Sequence, residues 1–121
     1  MGTHRARSVL GRAGEQLAAE HLSRNGYIVL SRNWRCSEGE LDLVVTAEGV
    51  AVFCEVKTRS GRGYGAPAEA VTADKAARIR RLAVRWRQAH QLRWCPMRFD
   101  VLAVDWPPGG VGTVQHIVSA F

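Results

Sequence analysis

Residues 40–57 read ELDLVVTAEGVAVFCEVK and contain two apolar runs on either side of Glu48-Gly49. The runs Leu41 to Thr46 and Val50 to Val56 are rich in apolar and β-branched residues, which favour strands. A tight loop with glycine between two such runs is typical of a β-hairpin. This stretch therefore predicts two antiparallel strands joined by a short turn, and the rest of the fold is arranged around them.

The register of this predicted hairpin brings acidic residues face to face. If the turn takes two residues, Asp42 lies directly opposite Glu55. Glu40 then lies opposite Lys57, and all four side chains point to one side because side chains alternate between faces along a strand. Facing Cβ atoms in an antiparallel pair are roughly 4.5–5.5 Å apart, so the two carboxylates would repel each other. A three-residue loop would instead move one carboxylate to the other face.

Two facing carboxylates are stable together if a divalent cation lies between them. Mg²⁺ binds in proteins through one or two carboxylates together with waters and substrate phosphates. Lys57 follows Glu55 by two residues and reaches the same pocket, where it could hold a water or stabilise charge on a phosphate. The alternative is the solvated polar face of an ordinary hairpin, with Glu40 and Lys57 as a simple ion pair.

The composition indicates a soluble globular protein with a basic surface. A chain of 121 residues is long enough to bury a core, and we expect a single domain over residues 1–121. Hydrophobic residues make up 46% and charged residues 23%, which argues against a disordered chain. The net charge of +6 favours a polyanionic partner, either nucleic acid or an anionic membrane surface.

Several classes of site and location are disfavoured by the sequence. The cysteines, Cys36, Cys54 and Cys95, are odd in number and show no paired spacing, so neither a zinc site nor a disulfide framework is expected. The four histidines form no cluster with the spacing of metal ligands. No run approaches the ~18 apolar residues of a membrane helix, and the N-terminus lacks the pattern of a signal peptide. We therefore expect a cytoplasmic protein without a membrane partner.

A helix is predicted before the hairpin, from about Arg7 to Asn25, where Asn25-Gly26 would end it. Its apolar stripe consists of Leu10, Ala13, Leu17 and His21, with Gly14 and Ala18 beside them. Glu15 lies at the flank of that stripe and could reach the edge of the sheet; the alternative is an ordinary solvated acid. Tyr27 to Asn33 predicts a first strand, and its apolar run is expected to be buried on both faces.

A second helix is predicted after the hairpin, from the N-cap Thr72 to about His90. Its apolar stripe consists of Ile79, Leu82, Ala83 and Trp86. A separate stripe of Arg78, Arg81 and Arg85 either contacts phosphates or forms a charged solvent face.

Two further strands, at Met97 to Val104 and Gly112 to Val118, complete the predicted order α-β-β-β-α-β-β. This order predicts an α/β domain with a mixed central β-sheet flanked by helices. The helix between the third and fourth strands permits a crossover, so one parallel pair is expected in an otherwise antiparallel sheet.

A glycine-rich segment, Ser60–Gly65, follows the acidic hairpin. A basic loop that carries a tyrosine next to an acidic site suits a nucleic-acid strand, and a plain connector is the alternative. Together with the second helix, this segment supplies the candidate nucleic-acid-binding residues. They are Arg59, Arg62, Tyr64, Lys75, Arg78, Arg81 and Arg85.

Asp42 followed by Glu55-Val56-Lys57, after a helix that carries Glu15, resembles the PD-(D/E)xK nuclease superfamily, with Leu41 where the motif has proline. More closely, the chain resembles the YraN-type family of small uncharacterised bacterial proteins, which resemble archaeal Holliday-junction resolvases. The segments that carry the resemblance are Gly14-Glu15 with Ala18, and residues 32–35, 39–43, 53–59, 65–71 with Lys75, and 98–101. Their order is specific, and they span about residues 11 to 104.

This resemblance implies a restriction-endonuclease-like core with a Mg²⁺ (or Mn²⁺) site. In that superfamily the aspartate and the glutamate bind the metal and the lysine positions or activates the attacking water, which assigns these roles to Asp42, Glu55 and Lys57. Glu15 would complete the site, and the Val56 carbonyl would be a further ligand. The implied function is a metal-dependent endonuclease that hydrolyses phosphodiester bonds in DNA, branched or otherwise structured. Resolvases of similar fold act as homodimers, since two cuts need two sites related by a two-fold axis.

Two other functions fit the same residues. A non-catalytic nucleic-acid-binding protein with a nuclease-like fold would bind DNA in a salt-sensitive manner and show no metal-dependent turnover. A protein-interaction adaptor would dock an acidic partner on the basic second helix and would bind DNA only weakly.

Overall fold

The computed structural model describes residues 2–61 and 71–121, and their side chains from residue 9 onward. In chain order the elements are α1 (Gly2–Arg24), β1 (Ile28–Cys36), β2 (Gly39–Ala47), β3 (Val50–Arg59), α2 (Ala73–Ala89), β4 (Met97–Asp105) and β5 (Thr113–Ile117). The predicted order α-β-β-β-α-β-β and the mixed α/β sheet are therefore confirmed. Arg62 and Tyr64, predicted to contact nucleic acid, lie outside the described residues.

The strands form one five-stranded sheet whose spatial order, β1-β2-β3-β4-β5, is also the chain order. Neighbouring strands are antiparallel except β3 and β4, which run parallel from Ala51↔Met97 to Arg59↔Asp105. A parallel pair needs a long crossover connection, and α2 lies in that connection. The single parallel pair predicted from the sequence is confirmed.

Each face of the sheet has its own apolar core. The α1-side core consists of Ala18, Ala19, Leu22, Leu43, Val45, Val52, Cys54, Val56, Leu102 and Val104. The α2-side core consists of Leu41, Val44, Ala51, Phe53, Ile79, Leu82, Ala83, Trp86 and Phe99. The predicted apolar stripe of α2 is the buried one, and Thr72 caps this helix by accepting a hydrogen bond from the Lys75 amide at 3.2 Å.

The apolar stripe predicted for α1 is wrong by about one position. The buried residues of this helix are Gly14, Ala18, Ala19 and Leu22, whereas Leu10, Ala13, Leu17 and His21 are only partly buried. A methyl group at Gly14 would overlap the Thr58 side chain, so glycine lets the helix backbone lie directly on β3. The end of the helix is as predicted, because the Tyr27 amide bonds the Leu22 carbonyl at 3.0 Å and Gly26 is left-handed (φ +89°).

The expectation that β1 is buried on both faces is also wrong. Ile28 and Leu30 are 65% and 45% exposed, because β1 is an edge strand and a bulge lies between Val29 and Ser31. Val29 alone of the three packs against the α1-side core. A continuous apolar run therefore marked an edge strand here rather than a central one.

A buried polar cluster fixes the C-terminal part of the chain to β4. Asp100 is fully buried and accepts hydrogen bonds from Arg98 Nη2 at 2.8 Å and from the Ser119 amide at 3.0 Å. His116 Nε2 lies 2.7 Å from the same carboxylate. Burial alone would raise the pKa of Asp100, but these partners outweigh it and hold the pKa below its ordinary value. Arg98 also donates to the Tyr27 hydroxyl at 2.7 Å, which links the cluster to the start of β1.

Within the described ranges 2–61 and 71–121, no helix is long and apolar enough to cross a membrane.

Candidate functional site

The site lies where β2 and β3 separate. The hairpin register is confirmed from Ala47↔Val50 to Leu43↔Cys54, and Glu48 and Gly49 form the turn with φ of +53° and +79°. The pairing then ends, one residue before the predicted Asp42/Glu55 pair.

In place of the next ladder bond, the Val56 amide donates to Asp42 Oδ2 at 3.0 Å. The Asp42 side chain thus reaches sideways to β3 and fills the opening between the strands. The hydrogen bond also holds one carboxylate oxygen at a fixed position, because the amide that supplies it belongs to a buried strand residue. The other oxygen of Asp42 is not engaged by this contact.

The carboxyl groups of Asp42 and Glu55 lie side by side, within reach of a hydrogen bond when one of them holds a proton. Burial, followed by the hydrogen bond and the charge of Glu55, raises the pKa of Asp42 to about 8. Burial alone would also raise the pKa of Glu55, but the hydrogen bond to Asp42 and the nearby lysine charges outweigh it and lower that pKa. With the pKa of Asp42 raised and that of Glu55 lowered, Asp42 is the member of the pair that retains a proton near neutral pH.

Two lysines lie beside the acidic pair. Lys75, in the first turn of α2, has its Nζ 3.1 Å from Glu55 Oε2. Lys57 lies next to Lys75, and burial together with the neighbouring ammonium lowers the pKa of Lys57 below its ordinary value. Contacts with Lys57 and Glu55 outweigh burial at Lys75 and raise its pKa. Lys75, predicted only as a phosphate contact, is thus part of the acidic site itself.

Glu40 does not lie opposite Lys57, so this part of the predicted register is wrong. The β2–β3 pairing has ended by this point, and Glu40 pairs instead with Arg35 of β1. Its carboxylate lies 2.8 Å from Arg35 Nε and accepts a second hydrogen bond from Asn33 Nδ2 at 3.0 Å. The alternative prediction, a simple ion pair between Glu40 and Lys57, is therefore also wrong, because Glu40 contacts Arg35 of the edge strand instead.

Glu15 reaches the site from α1 through Asn33. Its Oε1 accepts a hydrogen bond from Asn33 Nδ2 at 3.0 Å, and its charge contributes to the raised pKa of Asp42. As predicted, the Glu15 side chain reaches the sheet, where it contacts Asn33 of β1. Asn33 was not singled out from the sequence, although it falls within a segment that carries the family resemblance.

Asp42 lies between two cavities. One, of about 370 Å³, is lined by Gly39, Glu40, Asp42, Glu55, Lys75, Arg78 and Ile79. The other, of about 160 Å³, is lined by Arg12, Glu15, Gln16, Arg32, Asn33, Asp42 and Leu43. The first contains the acidic pair with Lys75 and opens toward α2, whereas the second lies toward α1. Asp42 is therefore accessible from both sides of the sheet end.

The predicted arginine stripe of α2 divides into different environments. Arg78 lines the larger cavity, Arg81 is exposed, and Arg85 Nη1 lies 3.1 Å from Glu38 Oε2. Arg59, at the end of β3, is partly buried and has contacts of its own. Of the predicted basic contacts that lie in the described part of the chain, the structure therefore brings Lys75 and Arg78 to the acidic pair.

The donor set fits a cation that keeps several waters. In the described part of the chain, no group of three or more histidine, cysteine, aspartate or glutamate side chains is placed to hold a metal. Two carboxylates without a third histidine, cysteine or acidic side chain suit Mg²⁺, which is held by one or two carboxylates and completes its shell with waters and phosphates. They do not suit zinc, which takes nitrogen and sulfur ligands, or calcium, which takes six to eight oxygens.

Comparison with known proteins places the chain in a family. The model of the uncharacterised protein family UPF0102 matches residues 14–104, a range that includes the acidic pair and both lysines. A UPF0102 protein of Clavibacter michiganensis is 56% identical over 111 residues, which cover 92% of this chain and 94% of the relative. A UPF0102 protein of Frankia casuarinae is 57% identical over 117 residues, covering 97% and 99%.

A more distant UPF0102 protein, from Nocardia farcinica, is 45% identical over 115 residues, covering 95% of this chain and 91% of the relative. The resemblance to the YraN-type proteins drawn from the sequence is confirmed by these matches. The chain belongs to the uncharacterised protein family UPF0102.

Proposed function

We propose that this protein is a Mg²⁺-dependent endonuclease that hydrolyses phosphodiester bonds in DNA, with branched or otherwise structured DNA as its substrate. The observation that carries the proposal is the pair of neighbouring carboxyl groups, Asp42 and Glu55, that line one cavity in the opening between β2 and β3, with two lysines beside them. A structural ion pair would need one carboxylate and one cation. Two partly buried carboxyl groups side by side are costly to maintain, and groups with such perturbed pKa values cluster at functional sites.

Asp42 and Glu55 would hold the cation, with the Val56 carbonyl as the further ligand that the resemblance implies. Glu15, which contacts Asn33, would hold a second ion or the waters of the first. A bound Mg²⁺ would lower the pKa of a coordinated water and neutralise charge on the scissile phosphate. The Val56 amide fixes one oxygen of Asp42 and so orients its carboxyl group. Lys57, whose pKa is lowered, is suited to orient a water or to exchange a proton with it.

Lys75 and Arg78 would bind the phosphates that flank the cut. Both line the larger cavity together with the acidic pair, so they lie close enough to contact the same strand. The net charge of +6 supports a polyanionic substrate, because basic surface charge concentrates nucleic acid near the site.

The test combines metal titration with a cleavage assay. Calorimetry with Mg²⁺ and Mn²⁺ is carried out on the parent, on Asp42→Ala and on Asp105→Asn, which removes an exposed carboxylate at the end of β4. The same proteins are then incubated with linear, flapped and four-way DNA. We expect the parent and Asp105→Asn to bind metal and to cleave DNA. We expect Asp42→Ala to lose both metal binding and cleavage but to keep its affinity for DNA. Equal cutting by all three would refute the site.

A non-catalytic DNA-binding protein is the second candidate, and the Lys75–Glu55 ion pair favours it. An ammonium 3.1 Å from Glu55 already neutralises this carboxylate without a metal. This candidate predicts salt-sensitive DNA binding by the parent, no heat of metal binding, and no cleavage of any DNA in the panel.

A further inference from the structure

We infer that Asn33 is a positioning residue of the acidic site: its left-handed backbone turns the β1–β2 ribbon so that Asp42 faces β3, and its amide holds Glu15 and Glu40 together. The catalytic part of this inference rests on the proposed function. The structural part does not, because it concerns where the chain places Asp42.

The backbone of Asn33 is unusual for its place. Among the described residues, four that are not glycine have positive φ, and Glu48, Gln91 and Ser119 all lie in turns. Asn33, with φ +49°, lies inside a strand. Left-handed backbone is costly for most residues, and asparagine is one of the few side chains that adopt it readily.

At this point the side chains of β1 and β2 switch from one face of the sheet to the other. Leu43 packs in the α1-side core, yet Leu41, two residues away, packs in the α2-side core. In a regular strand both would lie on one face. The same change occurs across the ladder. Arg32, which pairs with Leu43, bonds Gln16 of α1 at 2.6 Å, whereas Trp34, which pairs with Leu41, joins the α2-side core.

The two residues at the centre of this change are Asn33 and Asp42. They lie between the pairs Arg32↔Leu43 and Trp34↔Leu41, and hence opposite each other. Because the strand turns over at position 42, the Asp42 side chain points along the sheet toward β3 rather than into either core. That direction is what brings its Oδ2 to the Val56 amide at 3.0 Å.

The amide of Asn33 makes a second, separate contribution. Nδ2 donates one hydrogen to Glu15 Oε1 and the other to Glu40 Oε1, each at 3.0 Å. An amide nitrogen has two hydrogens, so both donor positions are used. Two carboxylates from α1 and β2 are thereby held near Asp42 in spite of their mutual repulsion. An aspartate in the same place has no hydrogen to donate at neutral pH and would add a third negative charge.

Three substitutions separate the two contributions. Asn33→Gly keeps the left-handed backbone and removes the amide. Asn33→Asp keeps a side chain that tolerates this backbone but cannot donate. Asn33→Ala removes both the conformational preference and the amide. Each is compared with the parent and with Asp42→Ala, which marks the loss of the contact to Val56.

The first readout is the NMR chemical shift of the Val56 amide, which needs no activity. We expect Asn33→Ala to move this shift toward its value in Asp42→Ala, and Asn33→Gly to leave it as in the parent. An unchanged Val56 shift in Asn33→Ala would overturn the backbone role. If Asn33→Ala does not fold whereas Asn33→Gly does, the requirement for left-handed backbone is supported directly.

The second readout is metal-dependent cleavage, with kcat and KM measured separately. We expect Asn33→Gly to lose about tenfold and Asn33→Asp about a hundredfold in kcat, the range known for partners that orient metal ligands, with KM for DNA little changed. Cleavage by both at the parent rate would overturn the amide role. If the parent cuts no DNA, the proposed function fails, and the Val56 shift still decides whether Asn33 positions Asp42.

Discussion

Lys75 Nζ lies 3.1 Å from Glu55 Oε2, so the first turn of α2 supplies a cation to the carboxylate that is proposed to bind a metal. The ammonium and a divalent cation would compete for the same oxygen. Removing a positive charge at this distance favours the binding of another cation. We expect Lys75→Met to bind Mn²⁺ more tightly than the parent, by calorimetry, and to bind DNA more weakly.

The control for this prediction is Lys75→Arg, which keeps the charge and should leave Mn²⁺ affinity near that of the parent. Weaker Mn²⁺ binding by Lys75→Met than by the parent would show that the lysine assists the cation rather than competing with it.

The acidic pair predicts a pH dependence of stability in the presence of a chelator. The pKa of Asp42 is raised from its ordinary value of 3.8 to about 8, chiefly by burial and by Glu55. Between these values the folded state holds a proton that the unfolded chain releases, so the free energy of unfolding falls as the pH rises. We expect Asp42→Asn to gain stability relative to the parent from pH 5 to pH 8, measured by urea unfolding. A constant difference across this range would contradict the raised pKa.

Two glycines of α1 predict opposite outcomes for the same substitution. A methyl group at Gly14 would overlap Thr58, and we expect Gly14→Ala to destabilise the fold by about 1–3 kcal/mol. Nothing lies within 4 Å of a methyl group at Gly11, so Gly11→Ala should stabilise by up to about 1 kcal/mol through helix propensity. Thermal unfolding compares the two, and Thr58→Ala should restore part of the stability lost in Gly14→Ala.

The buried carboxylate of Asp100 predicts a large effect far from the acidic pair. Asparagine in its place removes the negative charge and one of the two acceptor oxygens that Arg98 and the Ser119 amide use, and breaking a buried ion pair costs about 3–5 kcal/mol. We expect Asp100→Asn to lower the midpoint of thermal unfolding strongly, whereas Asp105→Asn, on the exposed end of the same strand, should not.

Acid should remove the same stabilisation from the parent. The pKa of Asp100 lies below its ordinary value of 3.8, so its contribution is complete above that pH and is lost as the pH falls through the lower, folded value. Equal acid sensitivity of the parent and Asp100→Asn would contradict this assignment.

The arginines of α2 predict unequal contributions to DNA binding. Arg78 lines the cavity of the acidic pair, whereas Arg85 is two turns further along the helix and is paired with Glu38. A side chain that contacts phosphate contributes about one unit to the dependence of the binding constant on salt. We expect Arg78→Ala to lower that slope by about one unit and Arg85→Ala by less, as measured by fluorescence anisotropy over a range of salt concentrations. Equal slopes would argue for a diffuse basic surface.

The sequence predicted the elements whose local signals agree with their environment. Glu48-Gly49 sets the hairpin register because both residues adopt positive φ, and the spacing of Ile79, Leu82, Ala83 and Trp86 identifies the buried face of α2. The apolar run at Ile28 gave no sign that its strand lies at an edge, since edge and central positions are determined by the whole sheet.

The sequence predicted the two acidic residues of the site, but not the residues that position them. Asp42 and Glu55 follow from the register, although the strands separate just before they would pair. The left-handed Asn33 and the approach of Lys75 depend on contacts between distant parts of the chain, which no local pattern contains. Glu40 was misplaced for the same reason, since a strict alternation of faces does not survive the turn of the strand.

The parallel pairing of β3 with β4 has a consequence for the order of folding. The meander β1-β2-β3 is built from neighbouring segments, whereas α2 and its connections separate β3 from β4 in the chain. Contacts between distant segments form slowly because the intervening loop must first be closed. We therefore expect a nascent chain to assemble the two carboxylates early, as a hairpin, and to acquire the lysine of α2 in a later step. The ion pair between Lys75 and Glu55 is then a late event of folding, and a dilute divalent cation would substitute for the missing ammonium until it forms.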